Sequence, residues 1–302
     1  MWNSWFGGFS EPSDYANAEM PSVNIQAIII SSIFVVPYLA FLIILPGVRQ
    51  KRLITLAIIT LTALIGAVLA VSLYLPGWTG GSARIVAQLR SHVNERMRAR
   101  MGVNVGLTSI NITLRYEQRV MEDPYSRIDM SQLYYNEKFD ISGGTRFLLN
   151  RASEWLPSSL AVSSMVDELR SAYQRGLPYP ILSVLEYFSL NQDAFDWGRH
   201  YRTAGHYTSA AVSFSLACWS LAVVFLLLVP HYYGRAILLT GLSALFACLL
   251  YLVMAPCQLE IGFIGTDGNR TIMRMSFQWA FYCVFGVGEL VSVVGFACNY
   301  RL

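Results

Sequence analysis

Residues Ser209 to Val229 read SAAVSFSLACWSLAVVFLLLV, without one charged side chain. A helix needs about 20 apolar residues to cross roughly 30 Å of hydrocarbon, and a chain in lipid must satisfy every backbone group internally. This stretch meets that length and reads as a membrane span. Four further runs share its character: Ile25 to Leu45, Leu53 to Leu75, Ala236 to Ala255 and Phe277 to Cys298. Each is continuously apolar rather than alternating, which argues against a transmembrane barrel. Composition agrees, because 54% of the 302 residues are hydrophobic and only 14% are charged, a balance too apolar for a soluble domain of this size. The sequence therefore predicts a multi-pass α-helical membrane protein with about five transmembrane helices.

Orientation follows from the short loops, since Lys and Arg near span ends are retained in the cytoplasm. The loop 46–52 carries Arg49, Lys51 and Arg52, and the loop 230–235, which must share its side, carries Arg235 beside His231. The segment 1–24 holds Glu11, Asp14 and Glu19 and no basic residue. It is expected outside, with the carboxyl end, 299–302, in the cytoplasm. It also lacks the basic region that opens a signal peptide, so the first span is expected to be retained. Two Asn-x-Thr sequons, at Asn111 and Asn269, both fall outside in this arrangement, which makes them candidate N-glycan sites.

Between the second and third spans lie residues 76–205, which hold 15 of the 22 basic and 13 of the 19 acidic residues. That is a folded domain held by two helices. Asn104 to Tyr116 alternates apolar and polar residues and predicts one or two strands. Arg84 to Met101 places Ile85, Leu89, Val93 and Met97 four apart and is expected to form an amphipathic helix, with Arg96, Arg98 and Arg100 on its solvated face. A second helix is expected over Leu160 to Gly176, with Val162, Met165, Leu169 and Tyr173 on one face and Gly176 as its stop. A shorter one is expected around Pro180 to Leu190. The domain thus reads as a mixed α+β unit, and the loop 256–276 as a second, smaller segment on the same side.

Chemistry is sparse. The four histidines show no metal-binding spacing, there is no Cys-x-x-Cys pair, and Gly286-Val287-Gly288 lies inside an apolar run where it suits close helix packing rather than a nucleotide. No reading points to nucleic acid. Catalytic, cofactor-binding and metal sites are therefore all expected to be absent, and lipid is the surrounding solvent. Cys218, Cys248, Cys283 and Cys298 lie in or at the edge of spans and are expected to be buried thiols, whereas Cys257 stands alone beyond the fourth span and is a candidate for an intermolecular bridge. Glu289 is the single acidic residue inside a membrane run. Ionisable groups there are costly, and a hydrogen bond to a neighbouring helix or a partner subunit is expected, beside the packing glycine Gly286. Pro37 is expected to kink the first span.

At the start of the third span, Tyr201 to Ala210 reads YRTAGHYTSA and is followed by Cys218-Trp219; this string resembles the dual oxidase maturation factors. The resemblance extends in the same order through Ile44 to Arg49, Val103 to Leu114, Tyr135 to Phe139, Gly176 to Pro178 and Pro256 to Leu259. It implies five spans with a claudin-like extracellular domain, and a chain that assembles with a dual oxidase in the endoplasmic reticulum and accompanies it to the plasma membrane. There the oxidase, carrying FAD and haem and drawing on NADPH, makes hydrogen peroxide, so this chain is expected to be a non-catalytic glycoprotein subunit. In the family motif, Tyr201, Arg202, Gly205, His206 and Tyr207 mark the junction of domain and span. Vertebrate members carry a second lumenal cysteine where this chain reads Gln192 to Asp196, and continue into a cytosolic tail beyond the position of Leu302. A bridge from Cys257 to the oxidase, or no bridge at all, both remain open.

The competing reading is a claudin-like or tetraspan adhesion protein. True claudins hold their domain with a cysteine pair, and none lies between Pro76 and Gly205. A transporter built on Glu289 ranks third, because transporters usually gather several ionisable groups around broken helices.

Overall fold

The computed structural model describes residues 25–47, 52–88, 96–119, 134–141, 159–189, 197–255, 260–265 and 269–300. The apolar runs form helices α1 (Ile25–Ile44), α2 (Arg52–Tyr74), α5 (Trp197–Leu228), α6 (Pro230–Met254) and α7 (Trp279–Tyr300). Among the described residues, four helices are long and apolar enough to cross a membrane: Arg52–Tyr74, Gly198–Leu228, Pro230–Met254 and Trp279–Phe296. Their outward side chains are leucines, valines and phenylalanines such as Leu227, Phe246, Val253 and Val293, as expected where lipid replaces water. Two helices differ from the expected spans at their starts. The first turns of α6 occupy residues 230–235, with Pro230 at its amino end, where its missing N–H costs nothing. Only Val229 separates it from α5, which itself begins twelve residues before Ser209.

Small residues and one tryptophan bring the helices together. Apolar side chains gain little by leaving lipid for one another, so close backbone approach has to supply the attraction. A Cβ on Gly295 of α7 would lie 2.8 Å from the Leu238 Cα of α6, and one on Gly241 would lie 2.7 Å from Ser292 Oγ. On the other side, the Trp219 indole of α5 lies over Gly66 of α2 and donates its Nε1–H to the Thr62 carbonyl at 2.7 Å. Phe34 of α1 meets the same indole edge-on at 5.6 Å, and Tyr38 and Thr60 share a hydrogen bond at 2.9 Å. Pro37 lies inside α1. Cys218 and Cys248 are buried, as expected, but Cys283 is exposed on α7, because the helix turns that position away from α6; the Cys298 side chain lies outside the described residues.

Between α2 and α5 the chain builds an antiparallel sheet from β1 (Thr79–Gln88), β2 (Arg96–Val105), β3 (Ser109–Arg119) and β4 (Tyr134–Asp140). Strand β7 (Ser276–Phe277) joins beside β1, giving the order β4-β3-β2-β1-β7, while β5 (Glu260–Ile264) and β6 (Arg270–Arg274) form a separate hairpin against β1. One face is core: Ile85, Met101, Val103, Ile110, Ile112, Leu114 and Phe139 are buried at every second position. Helices α3 (Ser159–Gln174) and α4 (Tyr179–Ser189) add Met165, Leu169, Ile181, Leu185 and Phe188 to the same core, which runs without a break into the helix bundle.

Both of those helices were expected; the one over Arg84 to Met101 is absent among the described residues, and Leu89 and Val93 of its expected face lie outside them. Residues 79–88 and 96–105 are strands instead, paired from Thr79↔Val105 to Gln88↔Arg96. A spacing of four fits one face of a helix, but it is also a multiple of two and fits one face of a strand. The finer signal is the alternation Ala83, Ile85 and Ala99, Met101, Val103, all buried, against exposed Arg84, Arg98 and Arg100. The arginines thus lie on a strand face, and the Arg96 side chain lies outside the described residues. In α3 the expected face is corrected at one position: Ala172 is buried and Tyr173 is half exposed, because its phenol reaches out to hydrogen-bond Glu186 of α4. That bond holds the Tyr173 hydroxyl up to about 12. Gly176 ends the helix in the left-handed region at φ 68°. The Val162 side chain lies outside the described residues.

Trp78 joins sheet and bundle. It is fully buried, donates its Nε1–H to the Ser72 carbonyl of α2 at 2.7 Å, and packs at a tilt 4.8 Å from Tyr251 of α6 and edge-on 6.3 Å from Phe281 of α7. Replacing Trp78 with Ala should lower the thermal midpoint of the detergent-purified protein by the equivalent of about 3–5 kcal/mol. Trp78→Phe, which keeps most of the volume and loses the indole hydrogen bond, should lose only about 1 kcal/mol beyond its size difference. Equal midpoints for wild type and Trp78→Ala would refute the role of this residue as the joint.

Candidate functional site

The motif Tyr201 to Ala210 lies wholly within the first turns of α5, where the helix leaves the sheet domain for the membrane. Helical spacing sorts it into two faces. Tyr201, Ala204, Gly205 and Thr208 are buried, and His206 and Tyr207 are exposed on the opposite side. Tyr201 packs 5.7 Å from Phe188 at the end of α4, and the Arg202 guanidinium donates to the Phe188 carbonyl at 2.7 Å. Gly198 lies against the same carbonyl. One turn further, a Cβ on Gly205 would lie 2.5 Å from the Leu107 carbonyl oxygen in the β2–β3 turn. That turn also lies against the segment that leads from α2 to β1, since a Cβ on Gly106 would meet Pro76 Cα at 2.8 Å. The motif is therefore a mechanical joint: α4, the β2–β3 turn and α5 meet with no room for one extra carbon. Nothing in it gathers a nucleophile, a base and an acceptor, and among the described residues no group of three or more His, Cys, Asp or Glu side chains comes together.

The remaining candidates are scattered rather than convergent. Asn111 sits near the start of β3, opposite Asn104 and Lys138, on the sheet face away from the core; it is partly buried, and its Oδ1 has no hydrogen-bond partner among the described residues. Asn269 is exposed where the β5–β6 hairpin closes through the Gly265 N–H donating to its carbonyl at 2.7 Å. Both sequons belong to the strand-rich end of the molecule. Cys257 lies outside the described residues. Glu289 and Gly286 are exposed on the side of α7 turned away from α6, and Glu289 makes no hydrogen bond or ion pair among the described residues.

One feature was missed by the sequence reading. Register pairs Arg84 with Arg100 and Arg100 with Arg115, so three arginines stand in a row across β1, β2 and β3, all exposed on the open face of the sheet. Like charges directly opposite one another destabilise a sheet. Arg100 and Arg115 of the row also line a shallow basin of about 560 Å³, together with Gly80, Gly102, Arg274 and Gln278. The surface there is concave and rich in arginine, with Arg274 paired to Glu260 at 3.0 Å. The alternation of arginine with apolar residues in Arg84 to Met101 was the signal that could have revealed it.

The family model described as dual oxidase maturation factor matches residues 13–300. A Caenorhabditis elegans protein named dual oxidase maturation factor 1 is 47% identical over 296 residues, covering 98% of this chain and 70% of the relative. Human dual oxidase maturation factor 1 is 30% identical over 272 residues, covering 88% of this chain and 69% of the relative. Human dual oxidase maturation factor 2 is 27% identical over 300 residues, or 98% and 82% of the two chains.

The joint generates a test whose sign is opposite to propensity. Glycine to alanine inside a helix ordinarily stabilises by about 1 kcal/mol. Gly205→Ala should instead destabilise the purified protein by about 1–3 kcal/mol, because the new carbon overlaps the Leu107 carbonyl. A raised thermal midpoint for Gly205→Ala would show that α5 and the β2–β3 turn are not in contact.

Proposed function

Because this chain belongs to the dual oxidase maturation factor family, we propose that it is a membrane-bound accessory subunit that a dual oxidase needs for exit from the endoplasmic reticulum, surface delivery and hydrogen peroxide production. The observation that carries this reading is the family match over residues 13–300, which takes in every described element. FAD, haem and NADPH belong to the oxidase. This chain contributes a folding partner: a protein that binds only the folded form of another shifts its population toward that form by mass action.

The architecture supports the reading. The sheet domain, claudin-like in its family, is wedged onto the bundle through Trp78 and Gly205, so it would present its open face to a partner in one fixed orientation. The arginine row makes that face suited to an acidic surface on the oxidase. In this proposal α1 is the fifth span, the amino terminus and the sheet domain lie outside, and the carboxyl end lies in the cytoplasm. Asn111 and Asn269 then carry glycans, and Cys257 bridges to the oxidase or to nothing.

Expressing a dual oxidase with and without this chain should give surface oxidase and extracellular peroxide only in its presence, and deleting Arg84 to Arg199 should abolish both. Undiminished oxidase output without this chain, or peroxide from this chain alone, would sink the proposal. Topology is tested separately on gels: Asn111→Gln and Asn269→Gln should each increase the mobility of protein processed in the endoplasmic reticulum. If neither does, glycosylation at these sites is refuted and the topology loses one support.

A further inference from the structure

Glu289 lies ten residues beyond Trp279 on α7, so at 1.5 Å per residue it sits roughly 15 Å into the membrane. That is mid-depth, where an ionisable side chain is least tolerated and almost always faces a protein interior or a polar cavity. Here it does neither. The inward face of α7 is Val284, Gly288, Val291 and Gly295, which pack against the bundle. Glu289 stands on the opposite face, in a stripe with exposed Tyr282, Phe285, Val293 and Phe296. It has no hydrogen-bond partner among the described residues, so no described helix answers for it.

Gly286, one turn before Glu289, is an independent observation on the same face. Other glycines of α7 are required by contact: a Cβ on Gly288 would lie 3.0 Å from Leu245, and one on Gly295 would lie 2.8 Å from Leu238. A Cβ on Gly286 would meet nothing within 4 Å. Nothing among the described residues requires a glycine there, and glycine weakens a helix. A notch beside an unanswered carboxyl group is the arrangement that lets a second helix approach closely and place a donor against it.

We infer that this face of α7 is the seat of one transmembrane helix of the partner oxidase, which crosses at Gly286 and donates a hydrogen bond to Glu289 from a polar or basic side chain at mid-membrane depth. A second copy of this chain fits less well, because a symmetric contact would set carboxyl against carboxyl. The inference rests on the accessory-subunit reading and adds the surface and chemistry of the contact.

The test is co-purification of a dual oxidase with the full-length tagged chain in mild detergent. Glu289→Leu and Gly286→Leu alter only outward positions and should leave the yield and monodispersity of this chain unchanged. Each should cut the recovered oxidase about tenfold, a loss on the scale of one interhelical hydrogen bond plus its close packing. Glu289→Gln, which keeps an acceptor of the same length, should stay within about threefold of wild type. Wild-type recovery with both leucine variants overturns the inference and leaves the accessory role standing. No oxidase with the wild-type chain overturns both. A band at twice the mass of this chain that vanishes in Glu289→Leu while oxidase recovery holds would assign the face to a second copy, and would also overturn the inference.

Discussion

The burial of Trp78 is the constraint on which the rest of the molecule depends. Strand β1 begins only five residues after α2 ends, so the chain has no slack in which to tilt a domain against a membrane bundle. The indole fills the corner between the two. Its backbone continues the clamp, with its N–H donating to the Val105 carbonyl at 3.0 Å and its carbonyl accepting from Gln278 at 2.9 Å. The start of the sheet, the end of β2 and the entry to α7 are thereby tied to one residue. Thr79 and Tyr251 add a hydroxyl contact at 3.1 Å. A domain held this way owes its position to hydrogen bonds that cross from strand to helix, in a place where unpaired polar groups would be expensive.

How much of this was legible in the sequence depended on whether the signal was local. The spanning helices were, because an uninterrupted apolar run has no competing explanation once its length exceeds that of a buried strand. Helices α3 and α4 were legible for a similar reason, since Gly176 and Pro178 punctuate them. The strands β1 and β2 were not. Their four-residue spacing satisfied two periods at once, and what decided between them was pairing with residues up to twenty-six positions away, as in Thr79 with Val105. The early start of α5 was hidden too. Trp197 to Thr208 is rich in polar groups, and its helical state follows from packing against α4 and the β2–β3 turn, not from apolar length.

The site divides along the same line. The string Tyr201 to Ala210 was recognisable as a unit because its residues are contiguous, and the structure adds what contiguity could not: which of them face the joint. The arginine row was invisible because its members come from three strands, and a cross-strand row exists only after register is set. Glycines show the distinction most clearly. Gly205, Gly241 and Gly295 look alike in sequence to Gly286, yet the first three are fixed by neighbours within 2.5 to 2.8 Å and the last by nothing among the described residues.

Helix α5 runs unbroken for 32 residues, from the sheet domain to the far side of the bundle. At 1.5 Å per residue it is a rod roughly 48 Å long, gripped near one end by Phe188 and Leu107 and about two-thirds of the way along by the Trp219 contact with α2. A rod gripped at two points is a lever with a fulcrum. A lean of about 10° about the Trp219 contact would carry its upper end, on the longer arm, through roughly 6 Å, more than one strand spacing. The molecule therefore has no independent way to adjust its sheet domain to a partner: reorienting the domain means reorienting the helix through the bilayer, and lipid thickness and domain pose become one mechanical variable.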